Sequence, residues 1–261
     1  MIRLLTYNIE FMMGWPQTVD VIRAQEADII CLQEVARDDC ANGAYVRRSD
    51  VLEAFDRTHE YKRLDRFYHG CSMGNMTLVR GRIGPGRQLC ADGGKPYGVA
   101  TDVELDSSRL TVANIHLAPL LRPNLLAFAV AERKHFGEVS DLNRRFADHD
   151  GAVVAAGDFN SFWPAPGCRL MRRHWIDCRT ARNGRQPPTR PTFGLPFVID
   201  HVFVRGKVRP VEYRVIEGGG SDHRAVVVGL EFEATSGRSS TKEKATILPN
   251  RRPEGKERRL G

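Results

Sequence analysis

The sequence predicts an α/β fold in which β-sheets pack face to face and the helices lie outside them. Strand-like segments outnumber helical ones along the chain. One of them, Ala152–Ala156, is an unbroken apolar run, as expected for a strand that is covered on both faces. The helical segments lie between groups of strands, which is typical of helices packed on the outer faces of sheets.

Strand and helix patterns alternate at the start of the chain. Ile2–Asn8 is strand-like, and Thr18–Glu26 has apolar residues at helical spacing after Pro16. Asp28–Val35 contains the apolar run Ile-Ile-Cys-Leu and predicts the next strand. Asp50–Arg57 is a second candidate helix.

A hairpin is predicted in the middle of the chain. Met76–Arg80 is strand-like, and two longer strands follow at Tyr97–Leu105 and Leu110–Leu117. The residues Asp106–Ser108 between them have the composition of a tight turn. The last two strands are therefore expected to pair with each other.

The second half of the chain contains the longest predicted helix. Asn124–Phe146 places apolar residues along one stripe, although Gly137 weakens the pattern in its middle. A short helix is predicted at Cys168–His174. The remaining strands are predicted at Val198–Val204, Val211–Ile216 and Ala225–Phe232.

Length and composition favour one globular domain over residues 1–233, followed by a basic disordered tail over residues 234–261. The chain has 261 residues, 41% of them hydrophobic, and a net charge of +7. Most of that charge lies in the tail, which has eight Lys and Arg residues against three Glu residues and little apolar periodicity. The tail is interpreted as a solvated terminus, with a nucleic-acid-binding arm as the alternative.

Membrane insertion and secretion are not expected. No segment approaches the ~20 apolar residues that span a bilayer, and the N-terminus lacks the features of a signal peptide. We therefore expect a cytoplasmic monomer. None of the six cysteines forms a Cys-x-x-Cys pair, so a structural zinc site is not indicated, and free thiols are expected.

Polar side chains interrupt or follow six of the apolar strands. Each one alone would usually be a turn residue or a core histidine. Their joint occurrence is informative, because buried carboxylates need a shared counter-charge. A divalent cation such as Mg²⁺ or Mn²⁺ supplies it, since these ions prefer oxygen ligands. The candidate ring consists of Asn8, Glu34, His116, Asp158, Asn160, Asp200, Asp222 and His223.

These motifs resemble those of the endonuclease/exonuclease/phosphatase superfamily. The resemblance rests on Thr-Tyr-Asn-Ile, Leu-Gln-Glu-Val, Asn-Ile-His-Leu, Gly-Asp-Phe-Asn, Ile-Asp-His-Val and Ser-Asp-His, which occur in the family's order between residues 3 and about 232. It implies a four-layer α/β sandwich of two packed mixed sheets, mainly antiparallel and flanked by helices. It also implies Mg²⁺-dependent attack of water on the phosphorus of a phosphodiester.

The resemblance implies different roles on the metal and water sides of the ring. Glu34 would be the principal metal ligand, with Asn8 and Asp222 beside it. Asp158 would orient or deprotonate the attacking water. Asn160 would hold that water or a phosphate oxygen.

The resemblance places the remaining residues around the phosphate. His223, paired with Asp200, would hydrogen-bond the scissile phosphate or act in acid–base catalysis, because a carboxylate fixes the tautomer of its imidazole partner. His116 would bind the phosphate from the other side. Asn75 matches the family's Gly-Asn strand and is a candidate substrate contact.

An arginine-rich stretch bears on the substrate. Seven arginines lie between Arg169 and Arg190, interleaved with Trp163, His174 and Trp175. Arginine with aromatic residues fits a nucleic-acid backbone with stacked bases, although a solvated basic face or a cradle for a small polyphosphorylated ligand fits as well. The candidate substrate contacts in this stretch are Arg172, Arg173 and Trp175.

Three functional classes stay open from the sequence. The first is a nuclease-type phosphodiesterase acting on DNA or RNA. The second is a phosphoesterase for a small molecule or a lipid headgroup, against which the lack of an amphipathic membrane segment counts. The third is a non-catalytic binding module on the same fold, which would be expected to have lost some of the ring, whereas all eight residues are present.

Overall fold

A computed structural model describes residues 1–10, 14–68, 70–119, 125–162, 164–182, 184–192 and 195–232. The predicted tail over residues 234–261 and Trp163 lie outside the described residues. No helix in the described ranges combines the length and the apolar character needed to cross a bilayer.

The helices in the described ranges agree with the predicted ones to within a few residues at each end. Helix α1 begins earlier than expected, because the proline at position 16 is accommodated in its first turn. A turn of 3₁₀ helix occupies Cys178–Ala181. The α-helices are α1 (Trp15–Arg23), α2 (Arg48–Ala54), α3 (Leu125–Arg145) and α4 (Pro166–His174).

The strands form two large sheets and one small hairpin. In chain order they are β1 (Ile2–Asn8), β2 (Ile29–Ala36), β3 (Thr58–Tyr68), β4 (Cys71–Val79), β5 (Arg82–Ile83), β6 (Arg87–Cys90), β7 (Pro96–Leu105), β8 (Ser108–His116), β9 (Ala152–Asp158), β10 (Ile176–Asp177), β11 (Arg190–Thr192), β12 (Leu195–Phe197), β13 (Asp200–Arg205), β14 (Val208–Ile216) and β15 (Ala225–Phe232).

Both large sheets are mixed. The first has the order β14-β15-β1-β2-β4-β3, and the second has the order β10-β13-β9-β8-β7-β5 with β6 also paired to β7. The neighbours β1 and β2 are parallel in the first sheet, as are β8 and β9 in the second. The other described pairs are antiparallel. Strands β11 and β12 pair only with each other in this arrangement of the described residues.

The alternation of side chains along the strands produces four layers. In β1, Leu4 faces the second sheet while Leu5 faces α1 and α2. In β9, Val154 faces the first sheet while Val153 faces α3 and α4. Because successive residues of a strand point to opposite faces, each central strand is apolar on both sides. The predicted four-layer α/β sandwich is confirmed.

Several strands escaped prediction because they lack an apolar run. The clearest case is β3 (Thr58–Tyr68), which is rich in charged residues and lies at the edge of the first sheet. Charged side chains are common on edge strands, where they discourage pairing with other chains. Strand β4 is also longer than the predicted Met76–Arg80, since it begins at Cys71.

The expectation of free thiols is wrong for one pair of cysteines. Cys40 and Cys71 form a disulfide, with their Cα atoms 5.1 Å apart. The loop after β2 folds back over the beginning of β4, where Ala36 is paired with Met73. The two sulfurs are brought together by strand pairing, which their separation of 31 residues in sequence does not reveal. The other four cysteines are free.

Candidate active site at the strand ends

One edge of the sandwich collects the ends of several central strands. His116 and Asp158 are the last residues of the parallel neighbours β8 and β9 and are paired in register. Asp200 begins β13 directly opposite Asp158, and Asn8 ends β1. Parallel strands end at the same edge, and an antiparallel neighbour begins there. Pairing therefore brings three of these side chains to one edge of the second sheet, and packing of the first sheet against it brings Asn8 to within 3.1 Å of Asp158.

A β-bulge directs Glu34 into the same site. Gln33 and Glu34 of β2 together stand opposite the single residue Asn75 of β4. Glu34 has a φ of 64°, a conformation that is costly for a side-chain-bearing residue and is often found at functional sites. Its Oε1 atom lies 3.6 Å from Nε2 of His116.

Gly157 permits the close approach of β9 to β8 just before Asp158. Its φ is 147°, and a Cβ atom at this position would lie 1.9 Å from the carbonyl oxygen of Ile115. Glycine is therefore required by both the backbone conformation and the available space. The Gly-Asp pair in the sequence reflects this contact.

Asn8 joins two carboxylates of the ring. Its amide nitrogen donates to Oε1 of Glu34 and to Oδ2 of Asp158, each at 3.1 Å. Its amide oxygen accepts a hydrogen bond from the backbone N–H of Glu10 at 3.0 Å. In this geometry Asn8 positions the carboxylates, and direct metal ligation by its oxygen would require the amide to turn over.

Asp158 lies at the centre of the site. It accepts hydrogen bonds from the backbone N–H of Asn160 at 2.8 Å and from the Asn160 amide at 3.1 Å. Nε2 of His116 is 3.6 Å from its Oδ2 atom, and Nε2 of His223 is 3.8 Å from the same atom. Burial raises the pKa of Asp158, and the facing His223 offsets this only in part. The carboxylate is thus suited to accept a proton.

Asp200 and His223 form a buried pair. Both carboxylate oxygens of Asp200 lie 2.9 Å from Nδ1 of His223, which leaves Nε2 directed at Asp158 and Asp222. Burial alone would lower the pKa of His223, but the carboxylates of Asp200, Asp158 and Asp222 outweigh it and raise that pKa to about 9. His223 is therefore an imidazolium near neutral pH.

Arg190 is a site residue that the ring motifs did not reveal. Its Nε and Nη2 atoms donate to Oδ2 of Asp222 at 3.0 and 2.6 Å. Asp222 also donates its backbone N–H to Glu10 at 2.9 Å, and burial raises the pKa of Glu10. Arg190 was visible only as the last member of the arginine-rich stretch. Its position on the β11–β12 hairpin, beside the ring, could not be inferred from spacing.

The donor set fits a divalent cation. The ring brings together more carboxylates than cationic groups, and Oδ1 of Asp222 is buried without a hydrogen-bond partner among the described residues. One carboxylate oxygen each of Asp158 and Asp200 and a ring nitrogen of His223 lie within 4.8 Å of one another. An imidazolium cannot ligate a metal, so the carboxylate oxygens of the ring are the candidate ligands, and oxygen ligands suit hard cations. Glu34 and Asp222 are the carboxylates beside this cluster with which the ring could hold the ion.

Three of the four predicted substrate contacts have partners within the protein. Trp175 is 4% exposed and donates its indole N–H to Asn143 at 2.6 Å, so it belongs to the core and cannot stack on a base. Arg172 is engaged with Asp177 through Nε at 2.9 Å. Asn75 donates its amide N–H to the backbone and side-chain oxygens of Asn114 at 2.9 and 3.1 Å.

The amide oxygen of Asn75 is buried without a hydrogen-bond partner among the described residues. The fourth predicted contact, Arg173, is exposed on α4. Contact of Asn75 or Arg173 with substrate therefore stays a prediction. The prediction for Trp175 is wrong, because an aromatic ring that packs edge-to-face on Phe146 inside the core has no free face for a ligand.

A four-layer α/β sandwich with carboxylate, amide and imidazole groups gathered at its strand ends is the phosphoesterase fold of the endonuclease/exonuclease/phosphatase superfamily. The sequence model of the Endonuclease/Exonuclease/phosphatase family matches residues 5–223. The chain belongs to this family.

Known proteins that resemble this chain do so at low sequence identity. An endonuclease/exonuclease/phosphatase from Beutenbergia cavernae is 22% identical, with a TM-score of 0.68 over 88% of this chain and 71% of its own. The mannosyl-6-phosphatase Bt3783 of Bacteroides thetaiotaomicron is 16% identical, with a TM-score of 0.64 over 89% and 100%. UPF0294 protein VP2298 of Vibrio parahaemolyticus is 28% identical over 123 residues, which are 46% of this chain and 40% of that protein.

Proposed function

We propose that the protein is a Mg²⁺-dependent hydrolase that cleaves phosphodiester bonds by attack of water and acts as a nuclease on DNA or RNA. The observation that carries the proposal is the position of Asp158. This buried carboxylate is held by Asn8 and Asn160 and faces the imidazoles of both His116 and His223. A phosphate bound there would meet a proton acceptor and imidazole hydrogen-bond donors together.

Asp158 is the general base of this proposal. Its pKa is raised by burial, which makes it a better proton acceptor than an exposed aspartate. The two hydrogen bonds from Asn160 fix the direction of the carboxylate. Asp158 would take the proton of the attacking water as the oxygen–phosphorus bond forms, while the ester oxygen leaves from the opposite side of the phosphorus.

His223 is the charged hydrogen-bond donor. Asp200 holds Nδ1, so the proton on Nε2 is available to a non-bridging phosphate oxygen or to the leaving oxygen. A pKa of about 9 keeps that proton in place near neutral pH. His116, whose Nε2 lies 3.6 Å from Oδ2 of Asp158, would donate to a second phosphate oxygen. Mg²⁺, or Mn²⁺ in its place, would supply Lewis-acid stabilisation of the negative charge on the phosphate oxygens.

The test is a substrate panel measured with Mg²⁺, with Mn²⁺ and with EDTA. It contains plasmid DNA, single-stranded and abasic DNA, RNA, inositol phosphates, sphingomyelin and bis(4-nitrophenyl) phosphate. Asp158→Ala and His223→Ala are expected to abolish turnover while preserving the folded spectrum. Asp102→Asn, at an exposed carboxylate paired with Arg87, is the matched control and should keep full activity.

The panel also separates the alternatives. Hydrolysis of inositol phosphates or sphingomyelin without cleavage of DNA or RNA would replace the nuclease proposal by a small-molecule or lipid-headgroup phosphoesterase. Full activity after exhaustive EDTA treatment would overturn the metal dependence. Substantial turnover by Asp158→Ala would remove Asp158 from the role of general base. No turnover of any member would favour a non-catalytic binding module.

A further inference from the structure

A basic cavity of about 710 Å³ lies next to the candidate active site. Its charged lining consists of Arg179, Arg182 and Arg185, and no acidic residue contributes to it among the described residues. The rest of the wall includes the polar residue Gln186 and the apolar residue Val198. Three guanidinium groups around a solvent-accessible space of this size form an anion site rather than a site for an apolar ligand.

The cavity is connected to the ring by two short backbone segments. Val198 of the cavity wall precedes Asp200 by two residues, and Pro188 of the wall precedes Arg190 by two. Two residues of extended chain span about 7 Å, so each wall lies about one phosphate spacing from a residue of the candidate active site, Asp200 or Arg190. Thr189 holds the two segments together, because its hydroxyl accepts the backbone N–H of Asp200 at 3.1 Å.

None of the three arginines of the cavity is paired with a carboxylate among the described residues. Nε of Arg179 is buried without a hydrogen-bond partner among those residues, and Arg182 donates to the carbonyl oxygen of Arg179 rather than to an acid. By contrast, Arg82 and Arg87 are each paired with a carboxylate. The positive charges of these guanidinium groups are therefore not neutralised by neighbouring carboxylates, and an anionic ligand would supply the missing counter-charge.

We propose that this cavity binds a second phosphate group of the same substrate, covalently linked to the phosphate at Asp158. The proposal rests on the proposed phosphodiesterase function and deepens it. It makes the preferred substrate a chain of phosphates, such as a single-stranded nucleic acid or an oligophosphorylated small molecule, and it assigns Arg179, Arg182 and Arg185 to the neighbouring phosphate. Arginine suits this task because its planar fork of donors matches phosphate oxygens.

The experiment compares two substrates with Mg²⁺, a short single-stranded DNA oligonucleotide and bis(4-nitrophenyl) phosphate, which has a single phosphate. The triple variant Arg179→Ala, Arg182→Ala, Arg185→Ala is expected to lower the ratio of kcat/KM for the oligonucleotide to that for the aryl ester by about tenfold or more, mainly through KM. The salt dependence of oligonucleotide binding should weaken by a slope of about 0.7, as expected for the loss of one phosphate contact.

The matched control removes the same charge elsewhere. Arg82→Ala, Arg87→Ala, Arg109→Ala alters three exposed arginines at the other end of the second sheet and should leave the substrate ratio unchanged. If the first triple variant does not fold, the double variant Arg182→Ala, Arg185→Ala changes only exposed side chains and should give part of the same loss. An equal effect of both triple variants on the ratio would overturn the proposal.

Binding of inorganic tripolyphosphate to the 261-residue chain, measured by calorimetry, separates this proposal from the proposed function. Wild type should bind tripolyphosphate more tightly than the Arg179, Arg182, Arg185 triple variant by about tenfold or more. Equal binding would overturn the cavity assignment even if DNA is cleaved. Tighter wild-type binding without hydrolysis of either substrate would retain the anion site and overturn the phosphodiesterase function.

Oligophosphorylated small molecules distinguish the source of the second phosphate. An inositol bisphosphate and the oligonucleotide each carry neighbouring phosphates, and the arginine-dependent ratio is measured for both. A ratio that depends on the arginines for the oligonucleotide alone identifies a nucleic-acid chain. Dependence for the inositol bisphosphate alone identifies a small-molecule substrate. Both results support the cavity as the second phosphate site.

Discussion

Substitution of Asn8 by aspartate would replace two favourable contacts at the centre of the site with two repulsive ones. The Asn8 amide donates to Glu34 and Asp158, each at 3.1 Å. Aspartate has nearly the same shape and keeps an oxygen for the backbone N–H of Glu10, so the change is chiefly one of charge. It therefore tests whether the ring gathers carboxylates that require a cation.

The magnitude follows from the contact distances. At about 4 Å and an effective dielectric constant near 20, each like-charge contact costs about 4 kcal/mol. Two such contacts exceed the cost of keeping a carboxyl group protonated near pH 7, which is also about 4 kcal/mol. The introduced carboxyl is therefore expected to take up a proton. One lost charge-assisted hydrogen bond adds about 1.5–3 kcal/mol, so without metal the variant should lose roughly 6 kcal/mol of unfolding free energy.

The loss should depend on pH and on metal. The introduced carboxyl has a folded-state pKa above its unfolded value, so the deficit is present above the unfolded pKa and shrinks as pH falls. Between about pH 7 and pH 5 it should decrease by about 2.7 kcal/mol. Mg²⁺ should reduce it near neutral pH, because a cation held by the carboxylates favours the ionised form.

The assay is urea unfolding of wild type and Asn8→Asp in EDTA and in Mg²⁺, at several pH values. Asn42→Asp makes the same chemical change at an exposed position and should be close to wild type throughout. The reasoning fails if Asn8→Asp in EDTA is as stable as Asn42→Asp. The expected role of the metal is contradicted if Mg²⁺ stabilises wild type and Asn8→Asp equally.

Other features of the fold give three further predictions. Burial lowers the pKa of His135, but its contacts with Glu132 and a backbone carbonyl outweigh burial and raise that pKa above its unfolded value. The variant His135→Gln should therefore lose stability relative to wild type below about pH 6.5, and this difference should disappear as pH rises through the folded-state pKa. Unfolding titrations at several pH values measure the difference. Gly157→Ala places a methyl group against a backbone carbonyl of β8 and should lower the unfolding free energy by about 3 kcal/mol or more in urea titrations; a near-native value would contradict the close approach. Reduction of the Cys40–Cys71 disulfide opens a loop of 31 residues and should cost about 3–4 kcal/mol, measured by unfolding with and without dithiothreitol, with Cys40→Ser insensitive to the reductant.

The sequence was informative where local pattern and tertiary role coincide. The central strands are apolar on both faces, so β1 and β9 could be located from composition alone. The residue that follows such a run and remains polar, such as Asp158, is conspicuous for the same reason. Edge strand β3 lacks this signal, because only one of its sides pairs with the sheet and its charged residues can reach water.

Contacts distant in sequence were not accessible in this way. In the sequence, Trp175 and the arginines near it were equally good candidates for substrate contacts. In the structure, Trp175 is buried in the core, whereas Arg179 lines a cavity and Arg190 binds Asp222 of the ring. The pairing of Cys40 with Cys71 likewise depends on how the loop after β2 returns to β4. Burial and partner choice depend on packing, which a single stretch of sequence does not specify.

The sequence by itself determined the family, the sandwich of mixed sheets and the polar side chains that end its strands, because short-range apolar patterns and motifs record which residues must be buried. Only the tertiary structure decided which partners and which charge each of those side chains has. In the fold, the amide nitrogen of Asn8 donates to two carboxylates, and Arg190 donates to Asp222. The carboxylate of Asp200 helps to raise the pKa of His223, so that its imidazole is protonated. These outcomes depend on distances of a few ångströms between residues far apart in the chain, since electrostatic interactions are set by distance and burial.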